Sequence, residues 1–273
     1  MSQKGLLSTI VFVPSLYIIG WFLSRPLILF RFAPSTVSLI GTLITFMIFV
    51  LLMPYWFKSR WGINNAWFLL GLKANNSKKF ILTKFLKGFS QALSLIFILL
   101  LPIIVNDWFI WEGQLSSGIL INSLLLTIGV GFAEELLFRG WLQEELKLQM
   151  GFKMGLICQS IIFSLSHLRW DIPFLDNLNI LLGLFLLGLI LSFKRLADDK
   201  SLWGSIGMHG GFVGIWFILN NGLIEISDQA PFWIIGNQKD NLNPLSGIYG
   251  NILLLIFCCY FLINLKSKKF KWL

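Results

Sequence analysis

Glu134, Glu135 and Arg139 fall within the run GVGFAEELLFRG, and both histidines of the chain, His167 and His209, fall within further apolar runs. An ionisable side chain inside a membrane span costs about 2.5–3.5 kcal/mol by insertion scales, so a Glu, Glu, Arg, His, His set in such segments marks a functional site. Carboxylates and imidazoles are the groups that move protons near neutral pH, so the set reads as a catalytic site within the bilayer.

Spacing divides the labour among the acidic residues. On a helix Arg139 stands four residues after Glu135 and therefore over it, while Glu134 points about 100° away. Glu135 and Arg139 neutralise one another, which leaves Glu134 as the available base, since environment commonly assigns two nearby carboxyls to different roles. Taken alone, EExxxR reads more readily as a structural ion-pair cluster or as a group near the cytoplasmic interface. The histidines weigh against that reading. Glu134 and His167 are equidistant from Met150 and Gly151, in the turn sequence QMGFKMG, so two antiparallel helices joined there bring them level. At ~1.5 Å per residue, Glu134 lies about 15 Å from Glu144, His167 about 21 Å from Lys153 and His209 about 13 Å from Lys200. All three are expected near the middle of the bilayer. Around His209, WGSIGMHGGF supplies Gly204, Gly207, Gly210 and Gly211, which let neighbouring helices approach closely. Phe163, one turn before His167, is within reach of its ring, and taken alone it reads as ordinary core packing.

The elements that must position these residues are membrane helices. Of 273 residues, 56% are hydrophobic and 13% charged, with a mean hydropathy of +0.77; a soluble domain carries roughly 25% charged residues. Runs near the ~20 residues needed to cross ~30 Å of hydrocarbon predict an all-α, polytopic membrane helix bundle with about eight segments: 6–24, 36–56, 86–105, 119–138, 154–168, 180–193, 202–219 and 248–265. The first continues through SLYIIGWFLS to Arg25 without a small-residue cleavage site, so it reads as a membrane helix rather than a signal peptide. No break in composition suggests a second domain, so residues 1–273 form a single membrane domain. The basic, amphipathic stretch 59–80 is expected on the membrane surface, and the turn-rich 222–248 connection is expected to be a loop or cap.

The net charge of +9 is concentrated in three regions: Lys58, Arg60, Lys73, Lys78, Lys79, Lys84 and Lys87; then Lys194, Arg195 and Lys200; then Lys266, Lys268, Lys269 and Lys271. With eight spans all three fall on one side, as the positive-inside rule requires of cytoplasmic loops. The protein is therefore expected to be integral and multi-pass with both termini cytoplasmic, and its basic charge to serve topology and contact with the lipid bilayer, with no nucleic-acid partner. Cys158, Cys258 and Cys259 lie in apolar runs without metal spacing and read as small packing residues.

Together EELLFRG, FSLSH and SLWGSIGMH resemble the CPBP family of intramembrane proteases, which includes the type II CAAX prenyl endopeptidases and relatives linked to bacteriocin maturation and self-immunity. The resemblance covers about residues 119–221. It implies a peptidase in which Glu134 and His167 activate water and His209 helps to stabilise the oxyanion, with Glu135, Arg139 and Phe163 in support. The third motif of the family usually places Asn or Asp four residues after the histidine, where this chain has Val213. Loss of one oxyanion donor costs about 10²–10³ in rate in other enzymes. Asn220 and Asn221 stand more than two turns beyond His209.

Other intramembrane protease classes find no support. Neither histidine lies in an HExxH motif, the aspartates fall in connections, and Ser164 and Ser166 are sequence neighbours of His167 that do not face it on a helix. The expected partner is a membrane-associated protein or peptide substrate, and no cofactor is expected. Two alternatives stay open. Glu134, His167 and His209 are also a ligand set that suits zinc or iron, for a metal-dependent peptidase or a transporter. A non-proteolytic scaffold that retains the fold is the other, and Val213 gives it weight.

Overall fold

The computed structural model describes residues 3–73, 77–236 and 246–267. The chain is a helical membrane bundle. Helix α1 (Gln3–Ser24) runs into a 3-10 segment (Arg25–Phe30) and turns back as α2 (Pro34–Trp61), which ends where Gly62 takes the left-handed backbone conformation. A single-turn α3 (Ala66–Leu69) precedes α4 (Lys78–Val105), whose first turn is capped by the Ser77 hydroxyl accepting from the Phe80 N–H.

One long rod then carries the acidic motif. It comprises α5 (Ser117–Leu125), a π-helical stretch (Leu126–Val130), α6 (Gly131–Glu135), a second π stretch (Leu136–Leu142) and α7 (Gln143–Met150). Glu134 and Glu135 therefore sit in one short α-helical turn between two widened ones, and such π-bulges frequently mark functional sites. Gly151, with φ of 84°, reverses the chain into α8 (Phe152–Leu165). Helices α9 (Phe174–Ala197) and α10 (Trp203–Ile218) follow, then a third π stretch (Leu219–Leu223), the short α11 (Phe232–Ile235) and α12 (Ile248–Ser267).

Among the described residues six helical segments are long and apolar enough to cross a membrane: 5–30, 34–61, 78–105, 117–150, 174–197 and 248–266. The remaining two of the eight expected segments are shorter helices. Segment 154–168 stops at Leu165, where SHLRWDIP supplies polar groups and a proline, and segment 202–219 is 16 residues of α-helix that loosens into the π stretch at LNNGL. His167 consequently stands just past the end of α8, not within it. Stretch 59–80 also differs from expectation. Helix α2 extends through Trp61, and the following backbone is drawn into the bundle: Leu70 is fully buried, the Leu69 carbonyl accepts from Arg195 Nη2 at 2.7 Å, and the Gly71 carbonyl accepts from the Leu202 N–H at 3.0 Å. The 222–248 connection contributes one strand, β2 (Ile224–Ile226), antiparallel to β1 (Phe109–Trp111) in a two-stranded ribbon that hydropathy did not reveal. Its residues 237–245, and Lys268, Lys269 and Lys271 of the basic tail, lie outside the described residues.

Helix α10 is the centre of the packing. Along one face it meets α4 and along another the acidic rod, and at both it brings backbone against backbone. A Cβ added at Gly207 would come within 2.1 Å of the Phe85 carbonyl oxygen of α4, and one at Gly210 within 1.9 Å of the Thr127 carbonyl oxygen of the rod. Only glycine fits at either contact, and in a bilayer such contacts drive helix association, because lipid tails offer apolar surfaces no less favourable than another helix does. Two apolar clusters flank this axis. One gathers Ile103, Ile190, Met208 and Leu254 from α4, α9, α10 and α12; the other packs Phe49, Met53 and Phe57 of α2 against Trp141, Phe163 and Ile206.

Polar ties set the register between helices. Ser205 Oγ donates to the Leu191 carbonyl at 2.9 Å, Ser192 Oγ to Gln159 Oε1 at 2.9 Å, and Ser123 Oγ to the Gly214 carbonyl at 2.9 Å. At one end of the bundle the first two basic regions come together. Lys84 and Lys194 share Asp198, at 2.9 and 2.6 Å, and Arg195 binds Glu144 at 2.9 Å while its guanidinium also donates to the Arg139 carbonyl. Glu145, fully buried, joins the N-terminal hairpin to the acidic rod by accepting from Thr9 Oγ1, Trp56 Nε1, Trp61 Nε1 and Gln149 Nε2 at 2.7–3.0 Å and pairing with Arg60 at 2.6 Å.

Candidate active site

The rod, the end of α8 and the middle of α10 converge on one point. Glu134 Oε2 lies 3.6 Å from His167 Nε2 and 3.8 Å from His209 Nε2. The level meeting of Glu134 and His167 deduced from their equal distance to the 150–151 turn is thus present. Glu134 and His167 are open on one side, with side chains 29% and 33% exposed, whereas His209 is 5% exposed. The Oε2 atom itself is shielded and makes no hydrogen bond among the described residues, although the rest of the side chain is reachable.

Glu135 faces the other way. Its Oε1 accepts from Arg139 Nη1 at 2.7 Å, and both side chains are fully buried. The same oxygen lies 2.8 Å from His209 Nδ1. A carboxylate only accepts, so Nδ1 of His209 carries hydrogen and the ring is fixed with Nε2 toward Glu134. This second duty of Glu135 was not legible in the sequence, because residues 74 positions apart meet only once α10 is docked against the rod.

Phe163, fully buried, lies in the midst of the group. Its ring centroid is 4.8 Å from that of His167 and 5.7 Å from that of His209, both edge-on, and the Arg139 guanidinium stands 4.0 Å over its face. A buried cation whose Nε and Nη2 have no hydrogen-bond partner among the described residues is in this way partly compensated by the ring quadrupole. The Phe163 carbonyl sits 2.8 Å from His167 Nδ1. That nitrogen therefore donates, and in a neutral ring Nε2 presents its lone pair toward Glu134.

Other expected or considered residues fall elsewhere. Val213, one turn beyond His209, is half-buried; Asn221 is exposed and donates to the Phe217 carbonyl at 2.9 Å, away from the site. The aspartates are not confined to connections as expected: Asp176 lies in the first turn of α9, buried, with Oδ2 unbonded among the described residues. In the connection after His167, the hydrogen bond from Arg169 holds the Asp171 carboxyl below the usual carboxylate range. Among the described residues no group of three His, Cys, Asp or Glu side chains is arranged to hold a metal ion. The cysteines are free, Cys258 buried and Cys259 exposed.

Comparison with known families divides the chain. Residues 1–65, the α1–α2 hairpin, match a domain of unknown function, DUF8676, and residues 115–215 match the type II CAAX prenyl endopeptidase Rce1-like family. No curated protein and no solved structure matches the chain. The second match encloses Glu134, Glu135, Arg139, Phe163, His167 and His209, every residue of the convergence. The chain is accordingly a multi-pass helical membrane protein whose residues 115–215 are similar to the Rce1-like type II CAAX prenyl endopeptidase family.

Proposed function

We propose that this protein is an intramembrane endopeptidase that hydrolyses a peptide bond of a membrane-associated protein or peptide. Glu134 and His167 activate the water, and His209 stabilises the oxyanion. The observation that carries this reading is the convergence of a shielded carboxylate oxygen on two imidazole Nε2 atoms, at 3.6 and 3.8 Å. Both separations exceed a direct hydrogen bond and match the reach of a bridging water. Glu134 Oε2 and His167 Nε2 are both acceptors, so a water between them donates to each and turns its lone pairs outward.

When that water attacks the scissile carbonyl carbon, the new C–O bond forms as Glu134 takes the proton, and the carbonyl oxygen becomes the oxyanion. Glu134 then gives the proton to the leaving nitrogen as the C–N bond breaks, yielding a carboxylic acid and an amine. Donation from His209 Nε2 to the oxyanion requires that this nitrogen carry a proton as well as Nδ1, which faces the Glu135 carboxylate at 2.8 Å. Val213 adds no donor beside it. Under the positive-inside rule the end holding Lys84, Lys194 and Arg195 faces the cytoplasm, with both termini on that side.

Two further readings use the same residues. Glu134, His167 and His209 as ligands would make the peptidase metal-dependent, and loss of the motif's polar residue at Val213 would suit a non-proteolytic scaffold. The deciding experiment compares membrane-anchored peptides, by mass spectrometry, in cells expressing the wild type or Glu134→Gln. The amide keeps the shape but cannot take the proton, so uncut substrate is expected to accumulate while the variant inserts normally. Cleavage within about threefold of wild type would remove Glu134 as the base.

A further inference from the structure

His167 is placed by a connection rather than by a helix. It follows the last helical residue of α8, Leu165, by two positions, and its own bonds run back to that frayed end: its N–H to the Ser164 carbonyl at 3.0 Å and Nδ1 to the Phe163 carbonyl at 2.8 Å. The chain beyond it offers little apolar anchorage. Trp170 is 91% exposed, Phe174 78% and Leu175 71%. One buried side chain in the first turn of α9 compensates. Asn177 Oδ1 accepts from the Arg169 N–H at 3.1 Å, and Asn177 Nδ2 donates to the Arg169 carbonyl and, at 3.4 Å, to the Ile172 carbonyl.

We propose that Asn177 is a positioning residue for His167, acting by clamping both backbone groups of Arg169, two residues beyond the imidazole. This rests on the role given to His167 above. The amide makes the pair of bonds that a neighbouring strand would make, and it does so from rigid ground, because α9 is itself fastened to α8 where Ser164 Oγ donates to the Leu181 carbonyl at 2.5 Å. The path Phe163, His167, Arg169, Asn177, Leu181, Ser164 is a closed ring of covalent and hydrogen-bonded links. Removing the amide opens it and frees the imidazole to move. Asparagine suits the position because it alone combines a donor and an acceptor at this length; aspartate lacks the donor and leucine both.

The chain has two histidines, so a protein labelled with ¹⁵N in the imidazole rings gives two sets of ring signals, one beside the clamp and one in the buried interior. In Asn177→Ala the His167 signals are expected to shift or broaden while those of His209 stay in place. Turnover is expected to fall about tenfold or more with KM within about twofold, the consequence of a misplaced reacting group. Asn251→Ala is the control: it removes a tie of the same kind to α9, from Asn251 Nδ2 to the Asn179 carbonyl at 3.2 Å, and should leave both sets unchanged. Unchanged His167 signals in Asn177→Ala would overturn the proposal, whatever the activity. Should both sets move, the fold has suffered, and Asn177→Ser, which keeps one hydroxyl donor and acceptor, decides by the same criterion. A wild type that cleaves no peptide while Asn177→Ala still displaces the His167 signals would refute the peptidase reading and leave the clamp standing.

Discussion

Glu135 is bound to two different partners, and single substitutions should separate its two duties. Arg139→Ala leaves a fully buried carboxylate whose compensating cation is gone, and Glu135→Ala leaves a fully buried guanidinium. Breaking a buried pair from one side costs about 3–5 kcal/mol, a large share of the roughly 5–15 kcal/mol that holds a typical domain folded. Both variants are therefore expected to accumulate to a small fraction of the wild-type level. The double variant removes both charges and should recover much of that abundance. Activity per folded molecule should divide them otherwise. Arg139→Ala retains the 2.8 Å contact between Glu135 and His209 Nδ1 and is expected to stay within about tenfold of wild type, whereas Glu135→Ala and the double variant lose the group that fixes the His209 tautomer. Their loss is expected at about 10²-fold or more, the scale for removal of an oxyanion donor. The assay pairs fluorescence-detected size-exclusion of the detergent-solubilised variants with cleavage normalised to the folded peak. A double variant as scarce as either single would refute the mutual neutralisation, and Glu135→Ala cleaving at the wild-type rate per folded molecule would refute the support of His209.

Chelator added to purified protein is expected to leave cleavage intact, and Val213→Asn to raise turnover, since it adds a donor one helical turn from His209. Inhibition by chelator reversed by zinc or iron would instead establish the metal-dependent reading. Gly210→Ala in α10 is expected to lower folded yield severely, because the new Cβ would stand 1.9 Å from a backbone oxygen of the rod that cannot rotate away, while Gly129→Ala on the rod itself, with nothing within 4 Å, serves as the tolerant control. Equal thermal stability of the two variants would show that the α10 contact yields more readily than backbone packing allows.

Hydropathy alone was enough for the helical membrane class, because a chain in lipid must satisfy its backbone within each segment and so announces its spans by composition. It was not enough for their number. Helix α8 and helix α10 are as apolar as the others over their length, and where they stop is decided by the polar sequence SHLRWDIP in one case and by the loosening at LNNGL in the other. Within one helix, spacing sufficed: Glu135 and Arg139 pair because four residues are close to one turn. Across one turn it still sufficed, since Glu134 and His167 are symmetrical about the Met150–Gly151 bond. Beyond that reach the register between non-adjacent helices depends on packing, through Gly207, Gly210 and the polar ties of Ser123 and Ser205, and no local pattern encodes it. For that reason the approach of His209 to Glu135, the burial of Asp176 and the grip of Asn177 on Arg169 emerged only when α9 and α10 were in place around the acidic rod.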